Sequence, residues 1–163
     1  MLKRVLLFPA AFLINNGGRI FLDGCFLRIH NYSFYEEFAE ADDTVDCGNK
    51  TMTGVFQDSV RHAVWNDVMY APSNNHYFAQ EPAGTENESA AYVLADCWDT
   101  LNESSCMECL ERASASILRC LPSSEGRALY TGCFLRYSNT NFLNLDPTPG
   151  DGGGNLKNSF YVT

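Results

Sequence analysis

The sequence predicts an α+β domain framed by disulfides. Two segments repeat apolar residues at helical spacing, and several shorter ones have strand character between turn signals. Six of the seven cysteines fall between Cys47 and Cys133. So dense and even a set in a small domain reads as a disulfide framework wherever the compartment is oxidising. At 163 residues, 45% hydrophobic and 13% aromatic, the chain can build one ordinary domain with extensions.

Lys3 and Arg4 precede the apolar run from Val5 to Ile14, the charge order and length of a signal-peptide start. Pro9 interrupts that run, and Asn15-Asn16 follow it without a small-x-small cleavage site. A second reading, an edge strand or the remnant of a repeat, therefore stands beside the first. The run is too short to span a bilayer. Residues 18 to 30 read as a strand. Residues 36 to 46, with Glu36, Glu37, Glu40, Asp42, Asp43 and Asp46, read as a solvated acidic linker, because their spacing is not that of a calcium loop.

Thr53 to Met69 is the first helix, with Phe56, Val60, Ala63, Val64 and Val68 on one stripe and Pro72 beyond its end. His62, within it, reads as a surface or interface residue. Tyr77-Phe78-Ala79 and Ala91 to Ala95 are short strands, with a polar turn at Gly84 to Asn87 between them. A second helix runs from Ser104 or Ser105 to about Leu118. Serine is its N-cap, Glu108 completes a capping box with Ser105, and Cys109 points inward. Pro122 ends the element, Arg127 to Tyr137 is one long strand, and Asp146 to Gly154 opens a flexible Pro/Gly tail.

Two stretches are near copies. Gly18-Arg19-Ile20-Phe21-Leu22-Asp23-Gly24-Cys25-Phe26-Leu27-Arg28 and Gly126-Arg127-Ala128-Leu129-Tyr130-Thr131-Gly132-Cys133-Phe134-Leu135-Arg136 agree at seven of eleven positions. Asn31 and Phe34 follow the first copy, and Asn139 and Phe142 follow the second at matching distances. The second copy closes a unit containing Cys97, Cys106, Cys109 and Cys120; the first has no such unit before it. The chain reads as one whole cysteine-framed domain preceded by the tail end of another.

With 11 basic and 20 acidic residues the formal charge is -9, which argues against nucleic acid or an anionic membrane as partner. Sequons at Asn31, Asn49, Asn87 and Asn102, taken with the cysteine frame, favour secretion and glycosylation. Cys106-Met-Glu-Cys109 is formally a CxxC, open to a redox reading at a helix N-terminus or to a zinc reading with His62, His76 or other cysteines. Half-cystines bonded to different partners are the favoured reading. No nucleophile constellation, zincin motif or phosphate-cradling loop occurs, so neither catalysis nor a cofactor or metal is expected.

Cys97-x8-Cys106-x2-Cys109, preceded by Tyr92-Val93-Leu94-Ala95-Asp96 and followed by Glu125 to Leu129 and Gly132 to Tyr137, resembles the Gnk2-homologous domain. This plant family is also called the DUF26 or stress-antifungal domain. The resemblance spans a complete domain at residues 47–145, with 1–46 as the C-terminal remnant of a preceding one and 146–163 as the tail. The whole is similar to the extracellular region of plant cysteine-rich receptor-like protein kinases, shortened at both ends, with no transmembrane helix or kinase after the tail.

The resemblance implies two helices packed on one antiparallel sheet of about five strands. It also implies the bridges Cys47–Cys120, Cys97–Cys106 and Cys109–Cys133, one of fifteen pairings that six cysteines allow. Cys25, the counterpart of Cys133, is then orphaned: free, paired between chains, or the mark of an incomplete product. A mannose-binding member of the family uses an Asn just after the first cysteine, an Arg six residues before the last and a Glu five after it. Here Gly48 follows Cys47 and Asn49 comes one place late; Arg127 matches, and Ser138 stands where the Glu belongs. Asn49 and Arg127 are the candidate ligand residues, with a surface ion pair as the plainer role of Arg127. The function implied is a non-enzymatic extracellular recognition module, a soluble binder or decoy that contacts related ectodomains or an apoplastic ligand. The alternative is a secreted carbohydrate-binding antifungal defence protein.

Overall fold

The computed structural model describes residues 17–21, 26–84 and 90–143. Two strands, β1 (Gly17–Phe21) and β2 (Phe26–His30), form an antiparallel pair where the sequence reads as one strand over 18 to 30. Then come β3 (Thr44–Cys47), α1 (Gly54–Tyr70), β4 (Phe78–Ala83), β5 (Ala91–Cys97), α2 (Glu103–Ile117), β6 (Glu125–Leu129) and β7 (Cys133–Ser138). The last five strands form one antiparallel sheet in the order β3-β6-β7-β5-β4. This is the expected α+β arrangement: two helices on an antiparallel sheet with three bridges.

Each helix begins where a side chain can satisfy free backbone N–H groups. Thr53 Oγ1 accepts from Phe56 N at 3.5 Å to start α1. For α2 the cap is Asn102, whose Oδ1 accepts from Ser105 N at 2.8 Å, so the cap falls before the expected serine. Asn is as good a cap as Ser and stands one residue before the first helical position. The stripe Phe56, Val60, Ala63, Val64 and Val68 is buried, as are Cys106, Cys109, Leu110, Ala113 and Ile117 on α2.

The helices cover one face of the sheet. Side chains alternate along a strand, and Val93, Ala95, Ala128, Leu135 and Tyr137 are all fully buried, with Phe56 of α1 6.3 Å from the Tyr137 ring. On the other face Phe134 meets Phe21 and Phe26 of the β1–β2 pair, at centroid distances of 6.0 and 6.4 Å, and Phe26 lies 4.3 Å from Trp98.

The expected long strand from Arg127 to Tyr137 is broken into β6 and β7 by a turn at 130–132. Gly132 allows it: a Cβ there would lie 2.5 Å from Phe38 Cα and 2.6 Å from its Cβ. Because a backbone atom is in the way, Gly132→Ala is expected to cost about 1–3 kcal/mol. A denaturant midpoint equal to wild type would refute that packing.

Residues 36 to 46 are no solvated linker. The side chain of Asp43 is largely buried and accepts from Thr131 N and Oγ1, both at 2.7 Å, while Arg19 pairs with Asp42 and Asp43. Arg28, with a fully buried side chain, holds Glu37 and Glu40. The carboxylates lash the strap 34–43 to the β1–β2 pair and to the β6–β7 turn. Sequence could not show this, because their cationic partners lie on other elements.

Candidate functional site

The internal repeat is a repeat of structure. Gly18↔Ile29, Arg19↔Arg28 and Phe21↔Phe26 in β1–β2 match Gly126↔Tyr137, Arg127↔Arg136 and Leu129↔Phe134 in β6–β7, pair for pair. Each copy buries its second arginine under the aromatic ring six residues on. Arg28 stands 4.5 Å from the Phe34 centroid, and Arg136 stands 4.0 Å from that of Phe142. A guanidinium over a ring face gains quadrupole attraction while it is partly desolvated. That explains the two phenylalanines at matching distances.

The two units differ in their carboxylates. In the second, Glu125 stands directly opposite Ser138, at the edge of the sheet face turned away from the helices. Its Oε2 lies 3.8 Å from Arg127 Nη2 and 3.9 Å from Arg136 Nη2. A carboxylate from the neighbouring strand thus sits opposite Ser138. Gly48 permits this, since a Cβ at 48 would lie 2.7 Å from Glu125 Cγ. Beside the site Ser123 Oγ donates to Gly48 O at 2.6 Å, and behind it, on the helix-covered face, the Tyr137 hydroxyl donates to Ser123 O at 3.1 Å. Burial, with help from Glu125, pushes the Tyr137 pKa up to about 12, so the phenol stays protonated.

Of the residues singled out from sequence, Arg127 is about one third exposed and pairs with Glu125, the plainer of its two roles. Asn49 is exposed just past the end of β3, the strand that pairs with β6. The residues that sequence reasoning missed are Glu125 and Arg136. The repeated arginine-to-phenylalanine spacing was the signal for Arg136; nothing in the chain order announced Glu125.

The half-cystines are joined as Cys47–Cys120, Cys97–Cys106 and Cys109–Cys133. Cys106 and Cys109 therefore belong to different bridges, with both residues in the core. Among the described residues no three His, Cys, Asp or Glu side chains converge as a metal site requires. His62 is exposed on α1, with Nδ1 3.4 Å from Asn66 Nδ2. Asn31, Asn49 and Asn102 are exposed; the apolar run from Val5 to Ile14, Cys25, Asn87 and the 146–163 tail lie outside the described residues. A shallow groove along α2 is lined by Asn102, Glu103, Ser104, Met107, Glu108 and Glu111 and is rich in carboxylates. No described helix is long and apolar enough to cross a membrane.

Comparison with known proteins follows the same outline. A family model described as salt stress response/antifungal matches residues 43–140. Cysteine-rich receptor-like protein kinase 2 of Arabidopsis thaliana is 51% identical over 144 residues, covering 86% of this chain and 22% of that protein. Cysteine-rich receptor-like protein kinase 42 of the same plant is 37% identical over 141 residues, 82% of this chain and 20% of its own length. This chain thus spans about a fifth of those relatives. The tandem DUF26 ectodomain of the A. thaliana cysteine-rich receptor-like protein PDLP8 superposes with a TM-score of 0.56 at 25% identity. That match covers 61% of this chain and 49% of the other.

Proposed function

The chain belongs to the salt stress response/antifungal family, and we propose that it serves as a non-enzymatic extracellular recognition module of the kind carried by receptor-like kinase ectodomains. The observation that carries this reading is the three-bridge frame, with two cystines fully inside the core. Such bridges persist in an oxidising compartment and not among cytosolic thiols. In the same reading the exposed sequons Asn31, Asn49 and Asn102 carry glycans after secretion. Substitution at Asn102 Nδ2 leaves Oδ1 free for the helix cap.

The recognition surface of this proposal is the end of the sheet face around Asn49, Glu125 and Arg127, with Arg136 and Phe142 beneath. A charged pair on a strand held by neighbours on both sides suits a polar ligand, whether a loop of a related ectodomain or a sugar hydroxyl pair. Glu125 is the observation that keeps the second reading, a carbohydrate-binding defence protein, in play: it offers a carboxylate next to Arg127 despite Ser138.

The test is a glycan array run beside pull-downs against related ectodomains, with wild type, Arg127→Ala and Glu125→Gln. Because the Arg127–Glu125 pair is long and half-exposed, Arg127→Ala is expected to keep its unfolding free energy within about 1 kcal/mol. Glu125→Gln also takes a charge from beside the buried Arg136, so its denaturant midpoint is measured alongside. Binding is expected to fall at least tenfold in each. A sugar hit selects the defence reading, and an ectodomain hit the receptor-type reading. No binding to either class, or binding indifferent to both substitutions, overturns the assignment of this surface.

A further inference from the structure

Four of the six large hydrophobic side chains left exposed among the described residues lie on α1: Val55, Trp65, Met69 and Tyr70. Val55 and Trp65 are 64% and 65% exposed. Val55, Asp58, His62, Trp65 and Met69 follow one another at alternating steps of three and four, on the side of the helix opposite its buried stripe. That is the a/d spacing of a coiled-coil seam, here turned away from the protein's own core.

The polar members of the seam are also available. The side chains of Asp58 and Arg61, one turn apart on this surface, pair neither with each other nor with another described side chain, although that spacing commonly pairs within a helix. His62 Nδ1 faces Asn66 Nδ2 at 3.4 Å, and Asn66 also donates to Glu81 Oε1 at 3.0 Å. With Nδ1 accepting from Asn66, the ring proton is left on Nε2, free to donate outward.

We propose that this seam is self-complementary and that two copies of the chain pair through α1 in antiparallel orientation about a two-fold axis. An antiparallel pair sets a positions against d positions. Val55 then meets Trp65 of the second copy, and Asp58 meets His62 with Arg61 beside it, each contact made twice as an isologous interface requires. A parallel pair would instead set Asp58 against Asp58. The charges therefore select both the orientation and the occupant.

The experiment is sedimentation equilibrium of the full chain over a wide concentration range, with Asp58→Arg, His62→Asp and Trp65→Ala. All three positions are exposed, so the variants should fold as wild type does, which far-ultraviolet circular dichroism checks. Wild type is expected to dimerise reversibly, and each variant to weaken dimerisation at least tenfold. An equimolar mixture of Asp58→Arg and His62→Asp should regain the dimer as a heterodimer. In one of its two polar contacts the introduced guanidinium faces the introduced carboxylate, and in the other native His62 still faces native Asp58. A wild type that stays monomeric at every concentration overturns the proposal. So does a dimer indifferent to all three substitutions, or a mixture no better than its components.

Discussion

Replacing Cys47 and Cys120 together by serine is expected to lower the unfolding free energy by about 4 kcal/mol, the largest chain-entropy loss of the three bridges. The bridge spans a sequence separation of 73, against 24 and 9 for the other two. In the chain-entropy account the longest closed loop restricts the unfolded chain most. The local structure points the same way. β3 is a four-residue strand at the sheet edge, paired only with β6, and exposed or half-buried along its length. Without the bridge its ladder bonds, the Asp43 contacts and the hydrogen bonds that tie residues 48–52 to 122–125 would have to hold it. Guanidinium unfolding of the double variant checks the size. Hydrogen exchange should also show Thr44–Cys47 opening ahead of β5 and β7. A loss under about 1 kcal/mol, or uniform exchange, would place the stability of this edge elsewhere.

Asp67→Asn is expected to change the pH dependence of stability more than any other substitution. Asp67 lies on α1, is almost completely buried, and has an Oδ2 without a hydrogen-bond partner. Burial, with Glu81 nearby on β4, pushes its pKa up to about 8. The folded state therefore holds a proton that the unfolded chain, near pKa ~4, gives up. This group's contribution is most favourable below about pH 4, falls as pH rises from about 4 to 8, and is level beyond. One pKa unit corresponds to about 1.4 kcal/mol, so the fall is on the order of 5 kcal/mol across that window.

Glu37 and Asp42 act in the opposite direction. Arg28 lowers the pKa of Glu37 by hydrogen bonding. Burial alone raises that of Asp42, but the hydrogen bond and charge of Arg19, with weaker hydrogen bonds, together outweigh it and leave it lowered. Their stabilisation is present at neutral pH and lost in acid, below the window in which Asp67 titrates. Urea midpoints at about pH 5 and about pH 8 separate the effects. Wild type should be distinctly weaker at the higher pH, and Asp67→Asn should lose most of that difference. Equal slopes for the two proteins would mean that the carboxyl is solvated or otherwise paired.

Much of this architecture is legible in the chain. Both helices follow from local signals: apolar residues every three or four positions, a cap before the first turn, and a stop after the last. The repeat marks two equivalent units, although only the fold shows each to be a strand pair with a buried arginine under an aromatic ring. The errors have a common origin. Residues 18 to 30 and 127 to 137 read as single strands because strand character continues up to the turns that split them. The cap of α2 is ambiguous because Asn102 and Ser105 are both competent, and only the phase of the backbone decides between them. The acidic stretch reads as solvated because Arg19 and Arg28 precede it by more than a helical turn and reach it only through the fold.

By itself, then, the order of residues determined the cysteine frame, the two helices, the duplicated segment and the family to which they belong. All of these depend on neighbours within a few positions or on spacings that repeat. Tertiary structure alone decided that Glu125 faces Ser138 between two arginines, that the carboxylates of 37 to 43 lash a strap to the core, and that α1 turns an apolar seam outward. Those are consequences of strand register and helix phase. A shift of one residue in either carries a side chain to the other face, and only the packed whole selects among such shifts.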